Sequence, residues 1–252
     1  MSFRDRVQQA GGGIREYLHE PAAIMKKELM TYFYTPIAYI VIMVFLIVMG
    51  ILFFYFPNFF YVNQAEMRVF FEWLPAILIF FVPAVTMRLF AEEIHTGTIE
   101  SLMTLPVTTS KVVIGKFLAA VLFLIIMMSP SLVYLASILF VGSPDPGPVI
   151  GGYIGSILLA GCYASLGVLS SSISRNQVVA FILGLLFCGF LWIIGKLVWF
   201  VPTKIVFLEY LGTDYHFRNI SKGIIDSRDI IYFLSIIVIS ILVTTKILDD
   251  RR

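Results

Sequence analysis

The sequence predicts an all-α, polytopic integral membrane protein with six transmembrane helices and a short helix on the cytoplasmic side between the second and third. Three observations carry this reading. Residues 29–65, 117–144, 146–174 and 176–195 contain no Asp, Glu, Lys or Arg, and each run can hold the roughly 20 apolar residues that cross a bilayer as a helix. Hydrophobic residues make up 59 % of the chain and charged ones 13 %, whereas a soluble domain is about half apolar and a quarter charged. The runs also lack the alternation of barrel strands, and a helix satisfies its own backbone groups in lipid.

Taken in order, residues 1–36 form a cytoplasmic N-terminal segment. Met1 to Glu20 carries Arg4, Asp5, Arg6, Arg15, Glu16 and Glu20 with no apolar centre, so no cleavable signal peptide is expected. Within 14–36, Ile24, Met25, Leu29, Tyr32 and Phe33 recur at helical spacing among charges, which predicts an amphipathic helix at the interface and equally suits a basic anchor before the first span. The six spans occupy 37–56, 73–90, 117–140, 149–173, 178–200 and 230–248 of a membrane domain that covers 37–248. The second contains Pro75 and Pro83 and ends on Arg88, and the sixth runs into Lys246.

The fourth span opens GGYIGSILLAGCYASLG. Gly151 and Gly155 form a small-xxx-small pair suited to close helix packing, within the chain or between copies. Lys196, near the end of the fifth span, is expected to snorkel toward headgroups. Loop 201–229 mixes Lys204, Arg218 and Lys222 with Glu209, Asp214 and Asp226, which suits a partner or an outer gate. Residues 249–252 form a short tail.

Lys and Arg set the orientation. With the N-terminus inside, twelve of the eighteen basic residues fall on the cytoplasmic side, among them Lys26, Lys27, Arg88, Lys111 and Lys116. Both termini and residues 91–111 are then cytoplasmic, and 57–72, 141–148 and 201–229 face outward.

Several functions are excluded. A net charge of +2 with dispersed basic residues points to no nucleic-acid partner. Cys162 and Cys188 lie inside apolar runs and read as small packing residues. His19, His95 and His216 fall in separate segments, so no metal site is expected. Gly115-Lys116 and Gly195-Lys196 lack the upstream Gly and following Ser or Thr of a phosphate loop, so any ATP hydrolysis belongs to another chain.

From Ala91 the chain reads AEEIHTGTIESLMTLPVTTSKVVIGKF. Ile99, Leu102, Met103 and Pro106 recur at i, i+3, i+4 and i+7, predicting a short helix with one apolar face. Thr98 is its expected N-cap and Glu100 a favourable charge in its first turn. Gly97 suits a left-handed break before it, and Pro106 suits its end.

This segment resembles the hallmark of type 2 ABC (ATP-binding cassette) exporter permeases. The matching residues are Glu92 and Glu93, Gly97 and Thr98, Glu100, Leu102 and Met103, Pro106 and Val107, then Gly115 and Lys116. KKELMTYFYTPIAYIV from Lys26, FVPAVTMRLFAEE from Phe81, RNQVVAFILG from Arg175 and HFRNISKGIIDSRDIIYFLS from His216 are similar to the gliding-motility-associated permease branch. The resemblance covers almost all of the chain after residue 25, and His95 stands where relatives more often carry Lys or Arg.

The resemblance implies that 91–111 is a coupling helix region seated in a groove of a separate ABC ATPase subunit, which binds the ATP and Mg. This chain itself carries no cofactor and no catalytic residue. The implied contact residues are Glu92, Glu93, Gly97, Thr98, Glu100 and Pro106, although the acidic pair could equally hold the end of the second span through Arg88. Further implications are a second permease copy or related paralogue, a bacterial inner-membrane location, and an auxiliary membrane-anchored protein with an outer domain. Export, ATP-driven mechanical signalling without a transported substrate, and an ATP-independent secondary carrier are the competing functions. A carrier usually places ionisable groups at the midplane of its spans, and none is visible here.

Overall fold

A computed structural model describes residues 20–55, 66–99, 108–142, 144–196, 206–224 and 226–251. Among them every regular element is helical. Helix α1 covers 20–34, followed by α2 (Pro36–Phe54), α3 (Arg68–Thr86), α4 (Arg88–Thr96), α5 (Thr109–Met128), α6 (Leu132–Val141), α7 (Pro146–Ile173), α8 (Gln177–Lys196), α9 (Val206–Leu211), α10 (Thr213–Ser221) and α11 (Ser227–Asp249). A single 3-10 turn, Ser129–Ser131, joins α5 to α6 at Pro130.

Among the described residues, six helical stretches are long and apolar enough to cross a membrane: Pro36–Phe54, Arg68–Thr96, Thr109–Phe140, Pro146–Ile173, Gln177–Lys196 and Ser227–Asp249. Their starts follow local chemistry. Thr35 is extended and Pro36 opens α2, because the residue before proline avoids helical dihedrals and proline suits the first helical position. Asp145 accepts from Gly147 N at 3.1 Å to cap α7, and Asp226 accepts from Arg228 N at 3.0 Å to cap α11. Asn176 Oδ1 accepts from Val178 N at 2.8 Å at the start of α8.

Helix α7 is the central post, packed against α3, α4, α5, α8, α10 and α11. Small residues make that possible. Gly152 receives the Phe71 ring of α3, Gly167 receives Thr86, and a Cβ on either would collide. The windows of the second, third and fourth spans are 61 % buried and those of the fifth and sixth 17 %, so α8 and α11 present their outer faces to lipid.

The structure extends several sequence boundaries. The second span starts at Arg68 and continues past Arg88 to Thr96, and the third starts at Thr109. Charged residues do not end these helices because they have partners: Arg88 stacks on the Tyr32 ring, Lys111 pairs with Glu20, and Lys116 pairs with Glu28 and Glu93. Residues 109–111 form the first turn of that third helix. The stretch read as loop 201–229 contains two packed helices, α9 and α10, and Phe217 and Ile220 of α10 are buried against α7.

Candidate functional site

Lys116, one helical turn into the body of α5 from Val112, is 1 % exposed. Its Nζ donates to Glu93 Oε1 of α4 at 2.7 Å, to the Leu89 carbonyl at 2.8 Å and to Glu28 Oε1 of α1 at 2.9 Å. An ammonium has three protons to give, and all three are used. The Phe90 ring covers it at 5.1 Å. Next to it, Gly115 lets α1 approach so closely that a Cβ would lie 2.9 Å from Ile24 and from the Pro21 carbonyl. The Gly-Lys pair thus joins α1, α4 and α5 by one close approach and one buried charge. Lys111 adds an ion pair to Glu20 at 2.9 Å.

Between α3 and α4 the helix ladder is interrupted at Met87. The last bond of α3 runs from Met87 N to the Pro83 carbonyl at 2.8 Å. Beyond it, Phe90 N and Ala91 N both donate to Ser171 Oγ of α7 at 3.0 Å, while Ser171 donates to the Met87 carbonyl at 2.7 Å. On the α1 side, Tyr32 donates its hydroxyl to the Val85 carbonyl at 2.9 Å and stacks on Phe123 at 4.8 Å. Burial pushes the Tyr32 hydroxyl well above the usual phenol range, so it remains a donor.

Beyond the joint, α4 carries a polar tip. Glu92, His95, Thr96, Gly97 and Thr98 are exposed. Gly97 has φ +74°, the left-handed break expected at this position, and nothing lies within 4 Å of where its Cβ would be. Helical geometry resumes at Thr98 and Ile99. Thr98 was expected to cap that next helix. Its described hydrogen bonds run backward, to Thr96 Oγ1 at 3.0 Å and the Glu93 carbonyl at 3.4 Å, closing the end of α4, and the amides it would cap lie outside the described residues. Glu100, Leu102, Met103 and Pro106 lie outside the described residues.

The structure brings Glu93 to Lys116 and not to Arg88, whose guanidinium stacks 4.4 Å over the Tyr32 ring. Sequence reasoning missed Glu28 and Ser171. Glu28 pairs across a long sequence separation, and Ser171 is one serine in a helix rich in small residues. The Gly115-Lys116 signal was legible, but not its partners.

The opposite end is also tightly built. Gly151 lies against the Ile220 carbonyl and Gly223, and Gly155 against the Ile220 side chain at 3.1 Å, so this small-residue face receives α10 of the same chain. His216 Nδ1 is 2.6 Å from Asp229 Oδ1, and its Nε2 is 2.9 Å from the Tyr210 carbonyl. Lys196 stacks 3.6 Å over Trp192, four residues earlier on its own helix. Cys162 and Cys188 are fully buried. A cleft of about 280 Å³ opens here, with Glu66, Arg68, Asp145 and Arg218 on its walls.

No curated protein matches the chain. The family model described as ABC-2 family transporter protein matches residues 22–244, which takes in the three-helix clasp, the broken ladder, the polar tip and all of the first five spans. Permeases of this family lack an ATPase site, leave ATP to a partner subunit and generally pair with ABC ATPases. The chain therefore belongs to the ABC-2 family of transporter proteins, as a multi-pass, membrane-spanning permease subunit.

Proposed function

We propose that the tip formed by Glu92, Glu93, Gly97 and Thr98, continued by Glu100 and Pro106, receives the ATPase subunit, and that this permease converts ATP-driven closure of two ATPases into a change of packing among its spans. The observation that carries this is the Lys116 clasp. A polar tip that only lay on a membrane surface would need no buried ion pair behind it. A tip that transmits force has to be joined to more than one span, and Lys116 joins α4 to both α1 and α5. The mechanism is transmission of motion between packed elements, with no covalent chemistry on this chain.

Two copies, or this chain with a related one, complete the transporter in this reading. Both termini and the tip face the cytoplasm. Support comes from the way α1, the tip, the start of α5 and Arg251, which donates to the Ile173 carbonyl at 3.0 Å, gather at one end of the bundle. That end holds the basic excess. The similarity to gliding-motility-associated permeases favours a bacterial inner-membrane complex that includes an auxiliary protein with an outer domain.

One observation favours mechanical signalling beside export. Helix α7 runs uninterrupted from Gly151, against α10 at one end, to Ser171, against α4 at the other. A rigid helix of that length spans ~30 Å at 1.5 Å per residue, enough to relay a shift at the tip to the α9 and α10 cap. Co-purification in mild detergent tests the proposal. An ABC ATPase should remain bound to wild type and be lost or weakened when Glu92 and Gly97 are changed together. An ATPase retained at full yield by that double variant would count against the assigned contact.

A further inference from the structure

We propose that the interruption at Met87 is a working joint whose angle is set by hydroxyls from two neighbouring helices, with Ser171 and Tyr32 as positioning residues for the tip. Its purpose rests on the coupling reading above. Its geometry rests on the hydrogen bonds alone.

In a continuous helix Phe90 N would bond to the Thr86 carbonyl, and the Val85 carbonyl would accept from Leu89 N. Here Phe90 N goes to Ser171 Oγ and the Val85 carbonyl takes the Tyr32 hydroxyl. Ser171 therefore holds an amide that the helix could satisfy by itself, and Tyr32 adds a bond to a carbonyl beside the break. The Phe90 amide thus has two possible acceptors, the Ser171 hydroxyl with the ladder open and the Thr86 carbonyl with it closed.

Exchanging one hydrogen bond for another changes the free energy little, whereas leaving a buried group unpaired is costly. Thr86, Phe90, Ala91 and Ser171 are all 0 % exposed, so water does not blur the choice. These are the conditions for a two-state element. Pro83 starts the weakness, because it has no N–H for the ladder and its ring crowds the preceding turn. Around the joint, Gly184 faces Pro83 and Gly167 faces Thr86. At these two positions α7 and α8 thus present backbone to the joint.

The lever is long enough to matter. Thr98 lies ~16 Å along the helix from Met87 at 1.5 Å per residue, so a change of about 20° at the break displaces the tip by roughly 6 Å. That displacement would reach α1 through Tyr32 and α7 through Ser171, the two elements that hold the joint.

The test uses the full chain in lipid nanodiscs, diluted with unlabelled chain, with nitroxides at Thr98→Cys and Val178→Cys. Both sites are exposed, and the native cysteines are buried. Pulsed electron–electron distance measurements compare Ser171→Ala, Ser171→Thr and Tyr32→Phe in that background. The alanine and phenylalanine variants should shift or split the distance distribution by roughly 6 Å, the displacement expected from the helix geometry. The threonine variant, which keeps the hydroxyl, should retain the parent distribution.

Parent-like distributions in both Ser171→Ala and Tyr32→Phe would overturn the joint, as would a threonine variant that behaves like alanine. If Ser171→Ala does not fold, Tyr32→Phe decides, since it keeps the ring on Phe123 and loses only the hydroxyl. Loss of ATPase stimulation in Gly97→Val beside unmoved distances would sink the joint and leave the coupling reading. Moved distances beside normal stimulation in Gly97→Val would sustain the joint and sink the coupling reading.

Discussion

Lys116 and Glu93 meet at 2.7 Å in a site where the lysine is 1 % exposed, and the same ammonium reaches Glu28 on a third helix. Two carboxylates share one counter-ion. A buried pair of this kind is weak evidence for stability, because desolvation offsets much of the Coulomb gain, yet removing one partner strands the others. Its effect is to fix the positions of α1, α4 and α5 relative to one another.

Lys116→Met should therefore destabilise the purified chain by about 3–5 kcal/mol, the usual cost of breaking a buried ion pair from one side. Combining it with Glu28→Gln and Glu93→Gln should recover most of the loss. Thermal unfolding in detergent reads both effects. A single variant as stable as wild type would show that the clasp carries no weight.

At Gly97 the backbone alone sets the cost of substitution, since φ is +74° and the space around a Cβ is open. Gly97→Asn should be tolerated best, Gly97→Ala should cost ~1 kcal/mol of tip geometry, and Gly97→Val more, because β-branched residues fit the left-handed region poorly. Stimulation of the partner ATPase should fall in the same order. Equal stimulation by all three would remove Gly97 from the coupling account.

Gly151→Ala should destabilise by ~1–3 kcal/mol, since its Cβ would press on the Ile220 carbonyl, which cannot rotate away. Gly155→Ala meets only the Ile220 side chain at 3.1 Å and should cost less. The comparison is made by thermal unfolding, and the reverse order would contradict the packing of α10 on α7.

His216 Nε2 must donate to the Tyr210 carbonyl, so the 2.6 Å contact to Asp229 needs a second proton, on the ring or on the carboxyl. An amide can supply that proton to a neutral ring. Asp229→Asn should thus keep α10 docked on α11, while Asp229→Ala should lose ~1–3 kcal/mol. Equal losses in the two variants would show that the hydrogen bond is not what matters.

The bundle was legible because charge-free runs and lipid thickness leave few alternatives. What escaped were features made by distance in sequence. Helix α10 reads TDYHFRNIS, too polar for a span, and only its docking on Gly151 and Gly155 reveals its buried face. Lys116 was legible as the Lys of a Gly-Lys pair and as a basic residue on the cytoplasmic side, but nothing local announces Glu28 or Glu93 as its partners. Ser171 gave no signal at all, since a serine that serves a helix break some eighty residues away resembles any small residue in a packed span. Gly97 was readable because its requirement is local and only glycine meets it cheaply.

The most direct test of the central claim is ATP hydrolysis measured with and without this permease in lipid. The purified chain alone should neither bind nor hydrolyse ATP. Its co-purified ATPase should be stimulated by wild-type chain and not by chain carrying Gly97→Val with Glu93→Gln, and dissipating the ion gradient should leave function largely intact. Gradient-driven activity of the chain without any ATPase, or full stimulation by the double variant, would contradict the account.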